Sequence, residues 1–170
     1  MQSKGISLFG QMLQLFDRVR FAKVVAQYQG DKAAKGFTTW GQMVSMLFSH
    51  LAKAQSLREI TGGLKSCIGK LSHLGVQRSP SSSNLAYANK HRDWRIYQDT
   101  FFHLLEKVQQ QWKGKRKFRF KNKLYSLDAT VIDLCLSMFD WATFRTTKGA
   151  IKLHCVLDHD GYLPCFVHIT

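Results

Sequence analysis

Residues 124–134 read LYSLDATVIDL, and this stretch decides how the chain is organised. Its β-branched and aromatic residues in a short run predict a strand. Asp128 sits in the middle of it. Aspartate is depleted in strands because its side chain competes for backbone groups and resists burial. A carboxylate held among apolar neighbours calls for a positive partner, and a divalent cation is one candidate. Asp133 follows five positions later, and the expected strand stops just short of it.

Outward from this segment, the charge divides the chain. Residues 1–123 hold 22 Lys and Arg against six Asp and Glu, a net +16, whereas residues 124–170 hold three against five, a net −2. The first part has the balance of a polyanion binder and the second collects carboxylates. The plain alternative is a basic protein with no particular partner, because net charge speaks of solubility and non-specific binding rather than of fold. The two parts meet at KGKRKFRFKNK, residues 113–123, where seven of eleven residues are Lys or Arg and none is acidic. Phe118 and Phe120 alternate there with Arg119 and Lys121, a strand period with one apolar and one basic face. Lys115, Arg116, Lys117, Arg119, Lys121 and Lys123 are the DNA-binding candidates of this run; a solvated hinge between domains is the competing reading.

The 170 residues suffice for one domain or two small ones, with a real core. No apolar run reaches the 18 residues of a membrane span, and the amino terminus lacks a signal-peptide pattern, so a bacterial cytoplasmic protein is expected. Cys67, Cys135, Cys155 and Cys165 form no CxxC pair; they are expected to be small buried hydrophobes rather than zinc ligands or a disulfide framework.

Upstream of the basic run the chain reads as helical. Apolar spacing over 6–29 predicts one or two amphipathic helices stopped by Gly30. Thr38 or Thr39 caps the next helix, with Trp40, Val44, Leu47 and Leu51 on one stripe. Ser56-Leu57-Arg58-Glu59 is a capping box for a short helix that Gly62-Gly63 loosens or ends. A second short helix over about 64–74 closes at Gly75. After the turn at residues 78–83 a third, Asn84 to about Arg92, carries Tyr87, Asn89, Lys90, His91 and Arg92. Short helix, turn, short helix with amide and basic side chains is how a helix-turn-helix reads, and Asn and Arg suit base edges. An ordinary helical bundle fits the same pattern. Residues 94–112 form the clearest helix, with Tyr97, Phe101, Leu104, Leu105, Val108 and Trp112 on its expected buried face.

After the first strand, a loop over 133–149, a strand over 151–158 and a strand over 162–169 are expected. Asp160-Gly161 is the hairpin turn, and Pro164 marks an edge or a bulge. Asp158 and Asp160 are read as turn residues.

Asp128-Ala129-Thr130-Val131-Ile132-Asp133-Leu134-Cys135-Leu136, then Phe139, Trp141-Ala142, Phe144-Arg145 and Lys148-Gly149-Ala150-Ile151-Lys152-Leu153-His154, resemble the start of the catalytic core of bacterial insertion-sequence transposases, in the IS-four-like group of the DDE class. The resemblance is strong over the last third of the chain and looser before it. It implies an α+β protein: a helical, DNA-binding domain over 1–112, a basic connector over 113–123, and over 124–170 the first three antiparallel strands of an incomplete ribonuclease-H-like core. It implies metal-dependent DNA strand cleavage and transfer, with Mg2+ or Mn2+ as cofactor and Asp128 as catalytic residue and metal ligand. Magnesium suits such work, being a hard ion bound through one or two carboxylates. It implies element ends and target DNA as partners, a homodimer on paired ends, and neither a membrane nor a small-molecule substrate. Asp133 and His154 match motif positions as candidates to support the strand end or the metal without binding it, and Lys148 and Lys152 as DNA contacts. Lys152 and His154 share a face of their strand, and they reach Asp128 only if that face is also its own. No residue matches the second Asp and the Glu of the family, so the expectation for this chain alone is DNA binding without cleavage. A non-catalytic inhibitor or relic, and a basic helical interaction protein, are the alternatives.

Overall fold

A computed structural model describes residues 7–67, 70–111, 122–134, 143–145 and 148–170. It is an α+β protein in two compact units, Met1–Thr100 and Phe101–Thr170. Within the second of these, the Gln109 side-chain amide near the end of the last helix donates to the Pro164 carbonyl at 2.9 Å.

The first unit is built from short helices, and the first five α-helices of the chain each start at a side-chain oxygen that takes up a free backbone N–H. Ser7 caps α1 (Leu8–Leu13), and Asp17 caps α2 (Arg18–Gln27), so the amino-terminal pattern makes two helices. Thr38 caps α3 (Thr39–Ala52) through the Gly41 amide. Ser56 caps α4 (Leu57–Ser66), and Glu59 accepts in return from the Gln55 amide and the Ser56 hydroxyl. Ser81 caps α5 (Ser82–His91), and α6 spans Arg95–Gln111.

Three local expectations change. Gly62-Gly63 does not end α4, which runs on to Ser66. A Cβ at Gly63 would lie 2.8 Å from the Phe48 ring, so this glycine lets α4 pass close to α3. The expected helix over 64–74 is instead a 3-10 turn at Leu71–Leu74, closed by Gly75 in the left-handed region at φ 72°. Leu51, assigned to the buried stripe of α3, is 52% exposed, while Trp40, Met43 and Val44 are buried.

Ile60, Leu64, Leu85 and Ile96 are the largest fully buried side chains of this unit. Trp40 joins α3 to the 3-10 turn and to α2: its indole N–H donates to the Leu74 carbonyl at 2.8 Å, Phe21 meets it edge-on, and the Arg18 guanidinium lies 3.8 Å over it. On α6, Ile96 and Thr100 are buried in this unit, whereas Phe101, expected inside, is 41% exposed.

The second unit holds a mixed-length antiparallel sheet of β1 (Tyr125–Leu134), β2 (Thr143–Arg145), β3 (Lys148–Asp158) and β4 (Leu163–Ile169). β3 lies in the middle. β1 pairs with it along its whole length on one side, and β2 and β4 pair with it on the other. β3 begins three residues before the expected Ile151, and β2 falls within the expected loop. The β3–β4 register shifts at Leu157, opposite Pro164, because proline has no N–H to give the ladder. The connecting turn is His159–Tyr162, with the Asp158 carboxylate accepting the Asp160 amide at 2.9 Å. No helix among the described residues is long and apolar enough to cross a membrane.

Candidate functional site

Asp128 lies in the middle of β1, exposed, at the register position opposite Cys155. The Thr130 hydroxyl donates to its Oδ2 at 2.7 Å. Directly opposed residues of an antiparallel pair project to the same face, and faces alternate along a strand. The Asp128 face therefore carries Ser126 and Thr130 of β1 with Leu153, Cys155 and Leu157 of β3. Ala129 is opposite His154 and Val131 is opposite Lys152. Lys152 and His154 consequently sit on the other face, behind the sheet from Asp128. This corrects the reading of His154 as a support for that carboxylate and removes Lys152 from its surroundings. His154 has its own company: it pairs with His168 of β4, ring centroids 6.3 Å apart, and its Nε2 is 3.5 Å from the Thr170 hydroxyl.

Asp133 also differs from expectation in place. It lies within β1, opposite Ala150, and not beyond the strand end. Lys148 is the first residue of β3.

The donor set around Asp128 can be tested against a magnesium ion. A hard cation of this kind wants carboxylate oxygens and waters. One oxygen of Asp128 already accepts from Thr130, and its cross-strand neighbour is a thiol, which is a soft ligand. Among the described residues no three His, Cys, Asp or Glu gather as a metal site. Those residues alone do not fit the ion, so no chemical step is assigned to it.

Of the basic candidates, Lys115, Arg116, Lys117, Arg119 and Lys121 lie outside the described residues. Lys123 is described and exposed, and its ammonium donates to Asp158 Oδ2 at 3.0 Å. The pair is mutual: the Asp160 amide and then Lys123 hold the Asp158 carboxyl below the usual carboxylate range, and Asp158 raises Lys123.

The helix-turn-helix candidates separate sharply. Arg92 is not a DNA-facing side chain. Its guanidinium is about 10% exposed and is spent on the interior. Nε donates to the Gly30 carbonyl at 3.1 Å, and Nη1 to the Thr38 carbonyl at 3.2 Å and to Gln42 Oε1 at 3.0 Å. Nη2 donates to the Phe37 carbonyl and lies 3.6 Å from Asp31. Burial lowers its pKa, and Asp31 opposes that shift. Asp31 in turn accepts the amide and hydroxyl of Thr39 at 2.6 and 2.8 Å, fixing the start of α3. Asn89 is turned inward as well: Gln42 Nε2 donates to its Oδ1 at 2.7 Å. Lys90 alone of the three is exposed. The sequence carried the signal for this. Leu85, Ala88, Asn89 and Arg92 stand at helical positions i, i+3, i+4 and i+7, so Asn89 and Arg92 share the stripe of two buried apolar residues.

The outward side of α5 holds the rest of that helix's candidates. It carries Ser83, Tyr87, Lys90 and His91, all exposed. Tyr87 and His91 stack with centroids 4.0 Å apart, and His91 Nδ1 is 2.9 Å from the Tyr87 carbonyl. Beside the start of α5 is a cleft of about 280 Å³ lined by Gly36, Phe37, Arg78, Ser79, Pro80, Ser81 and Asn84.

The remaining cysteines also depart from expectation. Cys67 and Cys155 are half-buried and Cys165 is exposed, its thiol donating to the Val156 carbonyl at 3.3 Å. Cys135 lies outside the described residues.

Residues 4–77 match the family model described as "Domain of unknown function (DUF4372)". No curated protein and no solved structure matches the chain.

Proposed function

We propose that this chain is a DNA-transposition protein that binds DNA and, by itself, does not cut it. Three things support the reading. The motif from Asp128 to His154 resembles the opening of a DDE transposase core. The family matched at residues 4–77 is one found in transposase-like proteins. The charge concentrates in residues 1–123, at +16. The observation that carries it is the placement of Asp128: an exposed carboxylate fixed mid-strand by a ten-residue register, where a mobile loop would leave its position open. Binding belongs to the basic residues, foremost the run 113–123; Lys123 contributes less, because Asp158 already neutralises it. In DDE transposases further carboxylates join the first to hold the metal.

The test uses the pure chain with supercoiled plasmid and magnesium or manganese. The expected result is retention of the plasmid in a binding assay with no conversion to nicked or linear form, and the same retention by Asp128→Asn. Metal-dependent nicking abolished by Asp128→Asn would overturn the non-cutting half of the proposal. Failure to retain DNA at low salt would overturn the whole.

A further inference from the structure

We infer that α5 meets duplex DNA with the side carrying Ser83, Tyr87, Lys90 and His91, assisted by Arg78 at the cleft beside its start. This rests on the DNA-binding reading above and says which surface of the helical unit takes part. The inward side of α5 is fully committed to the fold, through Leu85, Ala88, Asn89 and Arg92. Only the outward side has chemistry to offer a partner.

Charge selects the partner. No acidic residue occurs between Glu59 and Asp93, while Lys65, Lys70, Arg78 and Lys90 all lie in that interval and are exposed. Asp93, at the end of α5, is bound by its near neighbour Arg95 at 2.5 Å, which holds its carboxyl low and offsets its charge. The exposed cations Arg78, beside the start of α5, and Lys90, in its last turn, complement a polyanion.

The side-chain types fit the same partner. Lys90 is a point charge for a phosphate, and the Ser83 hydroxyl is a phosphate donor. Tyr87 is 67% exposed, a large ring left in water on a helix that buries Leu85 and Ala88. His91 stacked against it fixes its direction, so the pair forms a rigid flat surface for sugar or base edges. An α-helix fits the major groove in width. The polar cleft places Arg78 and Asn84 together near the first turn of α5, where a strand flanking that groove would pass.

The experiment measures affinity for a short mixed-sequence DNA duplex, as a function of salt, for four full-length proteins. These are the wild type, Tyr87→Ala/Lys90→Ala, Arg78→Ala, and a variant with the six basic residues of 115–123 changed to Gln. All the substituted side chains on α5 are exposed, and thermal melting checks that each protein folds. The double variant is expected to bind about tenfold or more weakly, and its log–log salt slope to be smaller in magnitude by about 1, the share of one lost phosphate contact. Arg78→Ala is expected to shift the slope likewise. Wild-type affinity and slope in both α5-side variants, with binding lost in the 115–123 variant, would overturn this inference and leave the proposed function standing. No wild-type binding overturns both. Dimerisation of the wild type that the double variant abolishes, with DNA affinity unchanged, would assign this side to a second copy of the chain and also overturn it.

Discussion

The two units of this protein reach order by opposite routes. In Met1–Thr100 the helices are short, but their first turns are capped and one side of each is driven inside. In Phe101–Thr170 the backbone ladder is long and regular, yet Leu127, Val131, Phe166 and Ile169 are all more than half exposed. Side-chain packing therefore carries the first unit, and backbone pairing carries the second. The difference teaches where function can sit at little structural cost. The β1–β3 register and the Thr130 hydroxyl hold Asp128 in place without burying it, whereas in the helical unit Asn89 and Arg92, on an inward stripe, are recruited to the fold, whatever their chemistry suggests.

Arg92 gives the largest expected break in that contrast. Arg92→Ala leaves the Gly30, Phe37 and Thr38 carbonyls and Asp31 without their shared donor. It should cost about 3–5 kcal/mol, as removal of one partner from a buried charged network does. Arg92→Lys should recover little, since an ammonium has no planar fork. Chemical denaturation of the helical unit measures both, and a loss below about 1 kcal/mol would mean that this residue is free for DNA after all.

The same truncation made in each unit sharpens the comparison. Leu85→Ala, at a fully buried position, should cost about 2–5 kcal/mol. Leu127→Ala, 76% exposed on β1, should change stability by about 0.5 kcal/mol or less. Equal effects in unfolding titrations would mean that the sheet face is covered in solution.

Adjacent glycines of α4 give a smaller, two-signed effect. Gly63→Ala drives a Cβ against the Phe48 ring and should destabilise by about 1–3 kcal/mol. Gly62→Ala points into open space and should stabilise by about 0.5–1 kcal/mol, from the helix preference of alanine.

The smallest effect is a pH dependence of the β3–β4 turn. The Asp158 carboxyl is depressed in the folded chain, by the Asp160 amide first and Lys123 next. Its contribution is therefore present above the ordinary carboxylate range and is lost as pH falls through its lowered folded value. Amide exchange at Asp160 should speed up relative to neighbouring strand amides on acidification. Asp158→Asn, which keeps an acceptor oxygen for that amide but loses the ion pair, should cost about 0.5 kcal/mol or less.

These contrasts also show what the sequence made legible. Features set by neighbours along the chain read correctly: the Thr38 cap, the capping box at Ser56, the turn at Asp160-Gly161 and the irregularity at Pro164 each follow from one or two residues and their local geometry. Asn89 and Arg92 read as base-edge contacts by residue type, whereas their helical positions, on the stripe with Leu85, turn them inward. Gly62-Gly63 reads as a stop signal, yet α4 continues through it because Phe48 occupies the space beside Gly63. The separation of Lys152 and His154 from Asp128 was not legible at all. It depends on which β3 residue opposes Asp128, and a one-residue change of register exchanges the faces.

The central claim is that a basic, helical, DNA-binding part accompanies a strand-borne Asp128 in a chain that binds DNA. The salt dependence of wild-type affinity for a short mixed-sequence duplex tests it most directly. The account predicts affinity that falls steeply with salt, by a log–log slope of about −0.9 for each phosphate neutralised, summed over several contacts. Absent binding at low salt, or affinity that does not change with salt, would contradict it.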